Sequence, residues 1–217
     1  KEMTKQVAHE IKNPLTPMKL KVQLFERHLK PSDPEFEQKL KVFSASIIEQ
    51  IDTLANIASA FSDFARMPSS NKEKINLCEI VDNTIAFYDV VAIKYTKSLD
   101  KAMIFADQDQ IIRVLNNVLN NAIEAMREDH ELEIALHIKQ IEEQVLLTIK
   151  DNGHGIPTVL YDKIFEPNFT TKNSGMGLGL AMVKRIIDDV GGNIYFESQQ
   201  NKGTTFYISL PLLKQKG

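Results

Sequence analysis

The sequence contains a single cysteine, Cys78, among its 217 residues. One cysteine excludes an internal disulfide and a multi-cysteine metal site, which fits a reducing compartment. An excess of one charge is also missing, because 26 Lys and Arg residues stand against 29 Asp and Glu residues and neither sign forms a long block. This balance excludes the basic surface of a nucleic-acid-binding domain, so we expect no nucleic-acid partner.

Long apolar runs are absent as well. No run approaches the roughly 20 residues of a membrane-spanning helix, and the first residues lack the pattern of a secretion signal. We therefore expect a cytoplasmic chain that makes no membrane contact. The composition, 43% hydrophobic and 25% charged, is typical of folded domains. Because Lys1 stands inside a predicted helix, we expect the chain to be part of a longer protein.

Two long helical stripes fill the N-terminal third of the chain. Apolar residues recur every three or four positions over residues 7–29 and again over residues 40–64. Pro14 and Pro17 lie inside the first stripe, where proline removes a backbone hydrogen bond and kinks a helix. A Pro-Ser-Asp-Pro segment at 31–34 separates the stripes, which predicts a helical hairpin. Its wide apolar seams predict a homodimer, in which two hairpins form a four-helix bundle.

The pattern changes at residues 67–76, which have the small, polar composition of a linker. We assign residues 1–66 to the hairpin, 67–76 to the linker and 77–217 to a second domain. Periodicity in that domain predicts helices over 77–91, 108–127 and 178–190, and strands over 93–99, 102–106, 131–141, 144–150, 193–198 and 204–210. Asp107 is the predicted N-terminal cap of the second of these helices. The second domain is therefore predicted to be an α/β sandwich, one helical layer on one mixed sheet, and the whole chain to be α+β.

Two glycine-containing motifs stand out in the second domain. Asp151, Gly153 and Gly155 end a predicted strand, where the backbone can approach a ligand and the carboxylate can accept from an adenine amino group. A simple strand-ending turn has the same composition, so this motif alone leaves both interpretations open. A second motif begins a predicted helix, whose free N–H groups favour phosphate oxygens. Its members are Gly175, Gly177, Gly179 and Leu180. It follows a loop and not a strand, which excludes a dinucleotide-binding βαβ unit.

Four asparagines, at positions 116, 117, 120 and 121, lie in an otherwise apolar predicted helix. Asparagine lowers helix propensity, so this cluster has no obvious structural reason. Asn117 and Asn121 are one turn apart and share a face. Their carbonyl oxygens can coordinate a hard cation and their amides can bond phosphate, which predicts Mg²⁺ held jointly with a nucleotide. A solvated polar face is the alternative.

The motifs together resemble the ATP-binding domain of sensor histidine kinases. They occur in the order and spacing Asn117-x3-Asn121, Asp151-x-Gly153-x-Gly155, Phe165-Glu-Pro-x-Phe169 and Gly175-x-Gly177-x-Gly179. The resemblance implies a Bergerat-type fold that uses ATP and Mg²⁺, with Asp151 on the adenine, Asn121 on the metal and Asn117 near the phosphates.

The resemblance also implies a mobile ATP lid that contains Thr171 and Lys172 and is hinged between Phe165 and the glycines. Thr204 resembles the threonine at the far wall of the adenine pocket, and Thr205 is the alternative.

The helical hairpin carries a second resemblance, because residues 7–15 are similar to the phosphoacceptor motif of the same family. His9 would be the nucleophile, and Glu10 can take its proton during attack on the γ-phosphate. Asn13 lies one turn after His9 and can hold the water that removes a phosphoryl group from the partner's aspartate. The family implies autophosphorylation, transfer to the receiver domain of a response regulator, and phosphatase activity towards that regulator.

Two other classes stay open, an ATP hydrolase or ATP-driven machine and a nucleotide-binding scaffold without catalysis. Hydrolases of this fold carry Glu where this chain has Asn117, which cannot act as a general base. A scaffold without catalysis would lack one of the motifs, and none is missing here. Glu124 departs from the family pattern and either weakens nucleotide binding or helps bind Mg²⁺. The segment 9–17 resembles the nitrogen-regulation subgroup. We also expect this chain to be the cytosolic part of a longer sensor.

Overall fold

The computed structural model describes residues 2–28, 34–65, 71–88, 92–127, 129–167, 169–170 and 177–214. The side chains of residues 2–10, 28, 56 and 59–65 lie outside the described part. The chain divides into two compact units, Lys1–Met67 with Thr170–Leu178 and Pro68–Phe169 with Gly179–Gly217. Among the described residues, no helix combines the length and the apolar character that crossing a membrane requires.

The first unit contains two long helices, α1 (Glu2–His28) and α2 (Phe36–Ala65). They pack against each other, and the rings of Phe25 and Phe43 stack with their centroids 4.2 Å apart. This confirms the predicted helical hairpin. Pro14 and Pro17 both lie inside α1, so the helix continues past two positions that lack a backbone N–H group.

The second unit alternates helices and strands. In chain order these are β1 (Glu73–Asn76), α3 (Leu77–Ile85), β2 (Ile93–Lys97), β3 (Met103–Ala106), α4 (Gln108–Glu124), β4 (Ile134–Ile141), β5 (Gln144–Asp151), a 3₁₀ turn (Thr158–Leu160), α5 (Gly179–Asp189), β6 (Asn193–Gln199) and β7 (Gly203–Pro211). Five strands form a mixed sheet in the order β2-β4-β5-β7-β6, in which β2 runs parallel to β4 and the other neighbours are antiparallel.

Two features differ from the sequence-based prediction of a single sheet preceded by a linker. Residues 73–76, assigned to the linker, form β1, which pairs antiparallel with β3 as a separate two-stranded sheet. Glu73 lies opposite Ala106, so the partner of this short strand is far away along the chain and leaves no local pattern. The expectation of one mixed sheet is therefore wrong, because β1 and β3 form a second sheet.

Two helices are shorter than predicted. The helix expected over 77–91 ends at Ile85, and the Phe87 side chain beyond it is 86% exposed, so it does not continue the buried stripe. The helix expected to reach 127 ends at Glu124. The carbonyl oxygen of Ala125, the next residue, accepts the N–H of His154 at 2.8 Å instead of continuing the helical ladder.

One apolar core lies between the helices and the five-stranded sheet. The largest fully buried side chains include Leu115 and Leu119 on α4, Leu136 and Ile138 on β4, and Leu147 and Ile149 on β5. Residues of the first half of β4 alternate between core and solvent, as expected for a sheet with one covered face. Burying each such side chain stabilises the fold by about 1.5–3 kcal/mol.

Side-chain caps fix where two of the helices begin. Asp107 Oδ1 accepts the N–H of Gln110 at 3.1 Å at the start of α4, which confirms the predicted cap. Asn76, which is 8% exposed, caps α3 and also binds the segment before β3. Its Oδ1 accepts the N–H of Cys78 at 3.2 Å at the start of α3 and the N–H of Ala102 at 3.0 Å before β3.

We expect Asn76→Ala to lower the free energy of unfolding by about 1–3 kcal/mol, because it leaves two buried N–H groups without an acceptor. Urea denaturation followed by circular dichroism measures the change. Asn83→Ala, at an exposed position of the same helix, is the matched control and should lose nothing. An equal loss in both variants would contradict the capping role.

Candidate nucleotide-binding site

Asp151 ends β5 and is 4% exposed. Its Oδ1 accepts the N–H of Gly153 at 2.9 Å and the N–H of Thr204 at 3.1 Å. Burial raises the pKa of this carboxyl group above its ordinary value, while the two N–H groups act in the opposite direction. Both hydrogen bonds that the described residues donate to the carboxylate end on Oδ1. Oδ2 is therefore the oxygen that can accept from a ligand.

The two glycines that follow this carboxylate allow close packing of neighbouring segments. A Cβ atom on Gly153 would lie 2.4 Å from the carbonyl oxygen of Ala125, and one on Gly155 would lie 2.2 Å from that of Gln199. Gly155 also has φ +67°, a backbone conformation that suits glycine. The loop is thereby fixed between the end of α4 and the end of β6, so glycine at these positions has a steric reason.

Thr204 forms the wall beside the carboxylate. The residue is 5% exposed, its N–H donates to Asp151, and its Oγ1 is 2.9 Å from Ser198 Oγ. Thr205, the alternative, is half-buried and pairs with Lys150 and Glu197, whose side chains are exposed on the outer face of the sheet. Because side chains alternate along a strand, it is Thr204 that shares a face with the carboxylate.

Asn117 connects α4 to the second glycine motif. Its Nδ2 donates to the carbonyl oxygen of Arg113 at 2.9 Å. Its Oδ1 lies where a Cβ atom on Gly179 would come within 2.5 Å, so the first residue of α5 packs directly against this amide. Asn121 is half-buried one turn further along α4, and the end of that helix contacts Gly153. Gly153 of the first motif and Gly179 of the second therefore both contact α4 or its C-terminal cap within the second unit.

The other two asparagines of α4 have a protein partner. The hydroxyl group of Tyr88 is 3.0 Å from Oδ1 of Asn116 and 3.3 Å from Oδ1 of Asn120. These side chains therefore anchor the helix to the segment after α3, which separates their role from that of the Asn117–Asn121 face. Tyr88 was not predicted from the sequence, because a tyrosine 28 residues before Asn116 leaves no local signal.

The structure describes some of the remaining predicted residues and leaves others outside its described part. Gly177 has φ +62°, and Leu180 is half-buried in the first turn of α5. Asn13 lies on α1 with its side chain exposed. The predicted residues Thr171, Lys172 and Gly175 lie outside the described residues, as do the side chains of His9 and Glu10.

Ser198 is a second residue that sequence reasoning missed, although a signal for it existed. The predicted strands 193–198 and 204–210 form an antiparallel hairpin, β6 with β7, in which Ser198 lies opposite Thr204. Pairing the predicted strands would therefore have placed this hydroxyl group beside the predicted site.

The arrangement in the second unit offers the carboxylate of a buried aspartate, a helix face with two carboxamides, and the first turn of α5, whose N–H groups favour anions. Residues 106–214 match the family described as "Histidine kinase-, DNA gyrase B-, and HSP90-like ATPase". Residues 1–70 match the "His Kinase A (phospho-acceptor) domain". The chain belongs to the sensor histidine kinase family. Membership confirms the predicted α+β fold, a helical hairpin with a Bergerat-type domain.

Individual members of the family align with nearly the whole chain. Signal transduction histidine-protein kinase AtoS of Escherichia coli (strain K12) is 33% identical over 220 residues, which cover 99% of this chain and 35% of AtoS. Nitrogen regulation protein NtrY of Azorhizobium caulinodans is 30% identical over 222 residues, covering 96% of this chain and 28% of NtrY. The chain thus spans roughly a third of the length of the curated relatives it matches.

A solved family member shows the same architecture. The crystal structure of histidine kinase ThkA in complex with response regulator protein TrrA is similar with a TM-score of 0.77 and 27% identity, covering 100% of this chain and 63% of that chain.

We expect Asp151→Asn to weaken ATP binding by about tenfold or more. The amide keeps an acceptor for the N–H groups of Gly153 and Thr204 but turns a donor towards the ligand in place of Oδ2. Titration calorimetry with Mg²⁺-ATP measures the dissociation constant, and unchanged affinity would remove Asp151 from the nucleotide site.

The same substitution should not destabilise the ligand-free protein at neutral pH. Because burial raises the folded-state pKa of Asp151, ionisation of the carboxyl group opposes folding. The wild type therefore loses stability relative to the variant as the pH rises through that pKa. Thermal unfolding of both proteins between about pH 3 and pH 8 tests this sign, and a wild type that gains relative stability with rising pH would contradict it.

Proposed function

We propose that this chain is the catalytic core of a sensor histidine kinase. It binds ATP in the second unit, transfers the γ-phosphoryl group to His9, and passes the group to an aspartate in the receiver domain of a response regulator. The observation that carries the proposal is the buried Asp151–Thr204 wall, which is joined through Gly153 to the helix that bears Asn117 and Asn121. A phosphoacceptor domain matched in the same chain supports it.

The proposed chemistry moves one phosphoryl group between two nucleophiles. A neutral ring nitrogen of His9 attacks the γ-phosphorus, the bond from that phosphorus to the β–γ bridging oxygen breaks, and ADP leaves. The ring then gives up a proton, for which Glu10 is the adjacent acceptor in the sequence. In the second step the nitrogen–phosphorus bond breaks while a carboxylate oxygen of the regulator bonds to phosphorus. The recorded complex of ThkA with the response regulator TrrA supports this class of partner.

Mg²⁺ fits the donors that the second unit offers. A carboxamide oxygen is a hard, neutral ligand, and Mg²⁺ commonly takes few protein ligands besides water and nucleotide phosphates. Asn121, half-buried on α4, would hold the ion, which when bound offsets the charge of the phosphates. Asn117 would lie near those phosphates, beside the start of α5. We assign Thr171, Lys172 and Gly175 to a lid over them, and Gly177, Gly179 and Leu180 to its end.

The contacts of Asn117 argue against an ATP hydrolase. Activation of water needs a general base, and a carboxamide cannot accept a proton at neutral pH. The amide Nδ2 also donates to the carbonyl oxygen of Arg113, which sets its orientation. When histidine is the nucleophile, no water has to be activated and no general base is needed for it. Asn117 is therefore compatible with the histidine kinase reaction.

We also propose that residues 1–66 pair with a second copy as a four-helix bundle. The described hairpin exposes many large apolar side chains, namely Leu15, Leu20, Val22, Leu24, Leu40, Val42, Ile48 and Ile51. Apolar surface along both helices is what a second hairpin would cover.

We propose that the ATP-binding domain begins at β1, at residue 73, and follows a connection shorter than the predicted linker.

The similarity to NtrY supports placement in the nitrogen-regulation subgroup. Because the chain covers 28% of that protein, we propose that it is the cytosolic part of a longer sensor.

We expect incubation with γ-labelled ATP and Mg²⁺ to give a base-stable, acid-labile phosphate on the chain, which is typical of phosphohistidine. His9→Gln should abolish the label, because glutamine offers no ring nitrogen. His28→Gln, in the same helix but outside the motif, is the matched control and should retain it. Label that persists in His9→Gln would refute the proposed phosphoacceptor.

We expect Asn13→Ala to keep autophosphorylation but lose phosphatase activity on a receiver domain by on the order of 10²-fold, because a carboxamide can align the attacking water. Both activities should be measured on one preparation, with folding checked by circular dichroism. Thr16→Ala, at an exposed position in the next turn of α1, is the matched control. If both activities fall together in Asn13→Ala, the proposed division of roles is wrong.

A further inference from the structure

The hydroxyl group of Ser198 has three hydrogen-bonding neighbours in the second unit. Its Oγ accepts the N–H of Ile156 at 2.8 Å. It also lies 3.1 Å from the carbonyl oxygen of Gly203 and 2.9 Å from Oγ1 of Thr204. The hydroxyl group of Tyr161 donates to the Ser198 carbonyl oxygen, so the main chain at this position is held as well.

In only one assignment of hydrogens are all three contacts hydrogen bonds. A serine hydroxyl has one hydrogen and accepts through its lone pairs. The carbonyl oxygen of Gly203 can only accept, so Ser198 gives its single hydrogen to that oxygen. In this assignment Ile156 N–H uses one acceptor position of Ser198 Oγ and the Thr204 hydroxyl donates to the other, a contact whose geometry fits either hydroxyl as donor. The hydrogen of Thr204 is thereby directed at Ser198.

The direction of that hydrogen determines what the pocket wall presents to a ligand. Thr204 Oγ1 has only lone pairs left to offer, and Oδ2 of the neighbouring Asp151 is also an acceptor. A ligand edge that carries N–H donors, such as the exocyclic amine of adenine, is satisfied by this wall. A carbonyl oxygen in the same place, as in guanine or hypoxanthine, would face acceptors without a hydrogen between them.

We propose that Ser198 is a positioning residue that fixes the polarity of the Thr204 hydroxyl and thereby discriminates against 6-oxopurine nucleotides. The inference rests on the proposed ATP site and deepens it, because it assigns part of the base specificity to a residue behind the wall. Ser198 acts through Thr204 and needs no contact with the nucleotide.

The test is the ratio of the dissociation constants for Mg²⁺-GTP and Mg²⁺-ATP, measured by calorimetry on the full 217-residue chain. In Ser198→Ala the Thr204 hydroxyl loses its acceptor and can turn its hydrogen towards a ligand carbonyl. We expect the ratio to fall by about tenfold. Ser198→Thr restores a hydroxyl group and should restore the ratio. Ser209→Ala, a half-buried serine of β7, is the matched control and should leave the ratio unchanged.

A purely structural role gives a different result. If Ser198 only holds the Ile156 loop, its removal weakens ATP and GTP binding by the same factor, and an unchanged ratio overturns the inference. In the Thr204→Val background, which lacks the hydroxyl group, Ser198→Ala should no longer alter the ratio. If it still does, the inference is also wrong. Should Ser198→Ala fail to fold by circular dichroism, Ser198→Cys replaces it, since a thiol is a weak acceptor and should lower the ratio in the same direction.

The wild type separates this inference from the proposed function. A wild type that binds neither nucleotide overturns the ATP site and the inference together. A wild type that binds ATP with preference over GTP, with the preference intact in Ser198→Ala, overturns the inference alone. Equal binding of both nucleotides by the wild type also overturns it, while leaving the nucleotide site in place.

Discussion

The second unit depends on holding one carboxylate out of water. A buried carboxylate is unfavourable unless donors surround it, and Asp151 receives two backbone N–H groups from different segments, those of Gly153 and Thr204. Bringing both donors within reach requires the β6–β7 turn to touch the end of β5. A Cβ atom on Gly203 would lie 2.0 Å from the Asp151 carbonyl oxygen, and the residue has φ +106°. The glycine next to Thr204 is therefore a condition for the hydrogen bond that Thr204 donates.

In the role we propose for it, the same carboxylate sets ligand binding against stability. Its burial favours the neutral form, whereas a ligand amine is best accepted by an ionised oxygen. The fold tolerates this conflict because the core beneath it is made of fully buried aliphatic side chains, such as Leu147 and Ile149 on β5 itself. Conflicts of this kind between local stability and chemistry are expected at functional sites.

Local sequence patterns predicted the features that depend on neighbours along the chain. The cap at Asp107 and the helical hairpin belong to this class, whereas Thr204 was implied by the family resemblance. Features that depend on distant partners were missed. Strand β1 exists through its pairing with β3, and Tyr88 contacts residues 28 and 32 positions later, so periodicity carries no trace of either. Ser198 lies between these cases, since only the pairing of two predicted strands brings it to the site.

The Tyr88 contacts also bear on how α4 can move. An α-helix advances about 100° per residue, so the row that contains Asn116 and Asn120 is next to the row that contains Asn117 and Asn121. A hydroxyl group that reaches both members of the first row resists rolling of the helix about its own axis. Rolling would carry the second row away from the start of α5 without breaking a single hydrogen bond inside the helix. A tyrosine outside α4 therefore governs how the two carboxamides are oriented around the axis of the helix that carries them.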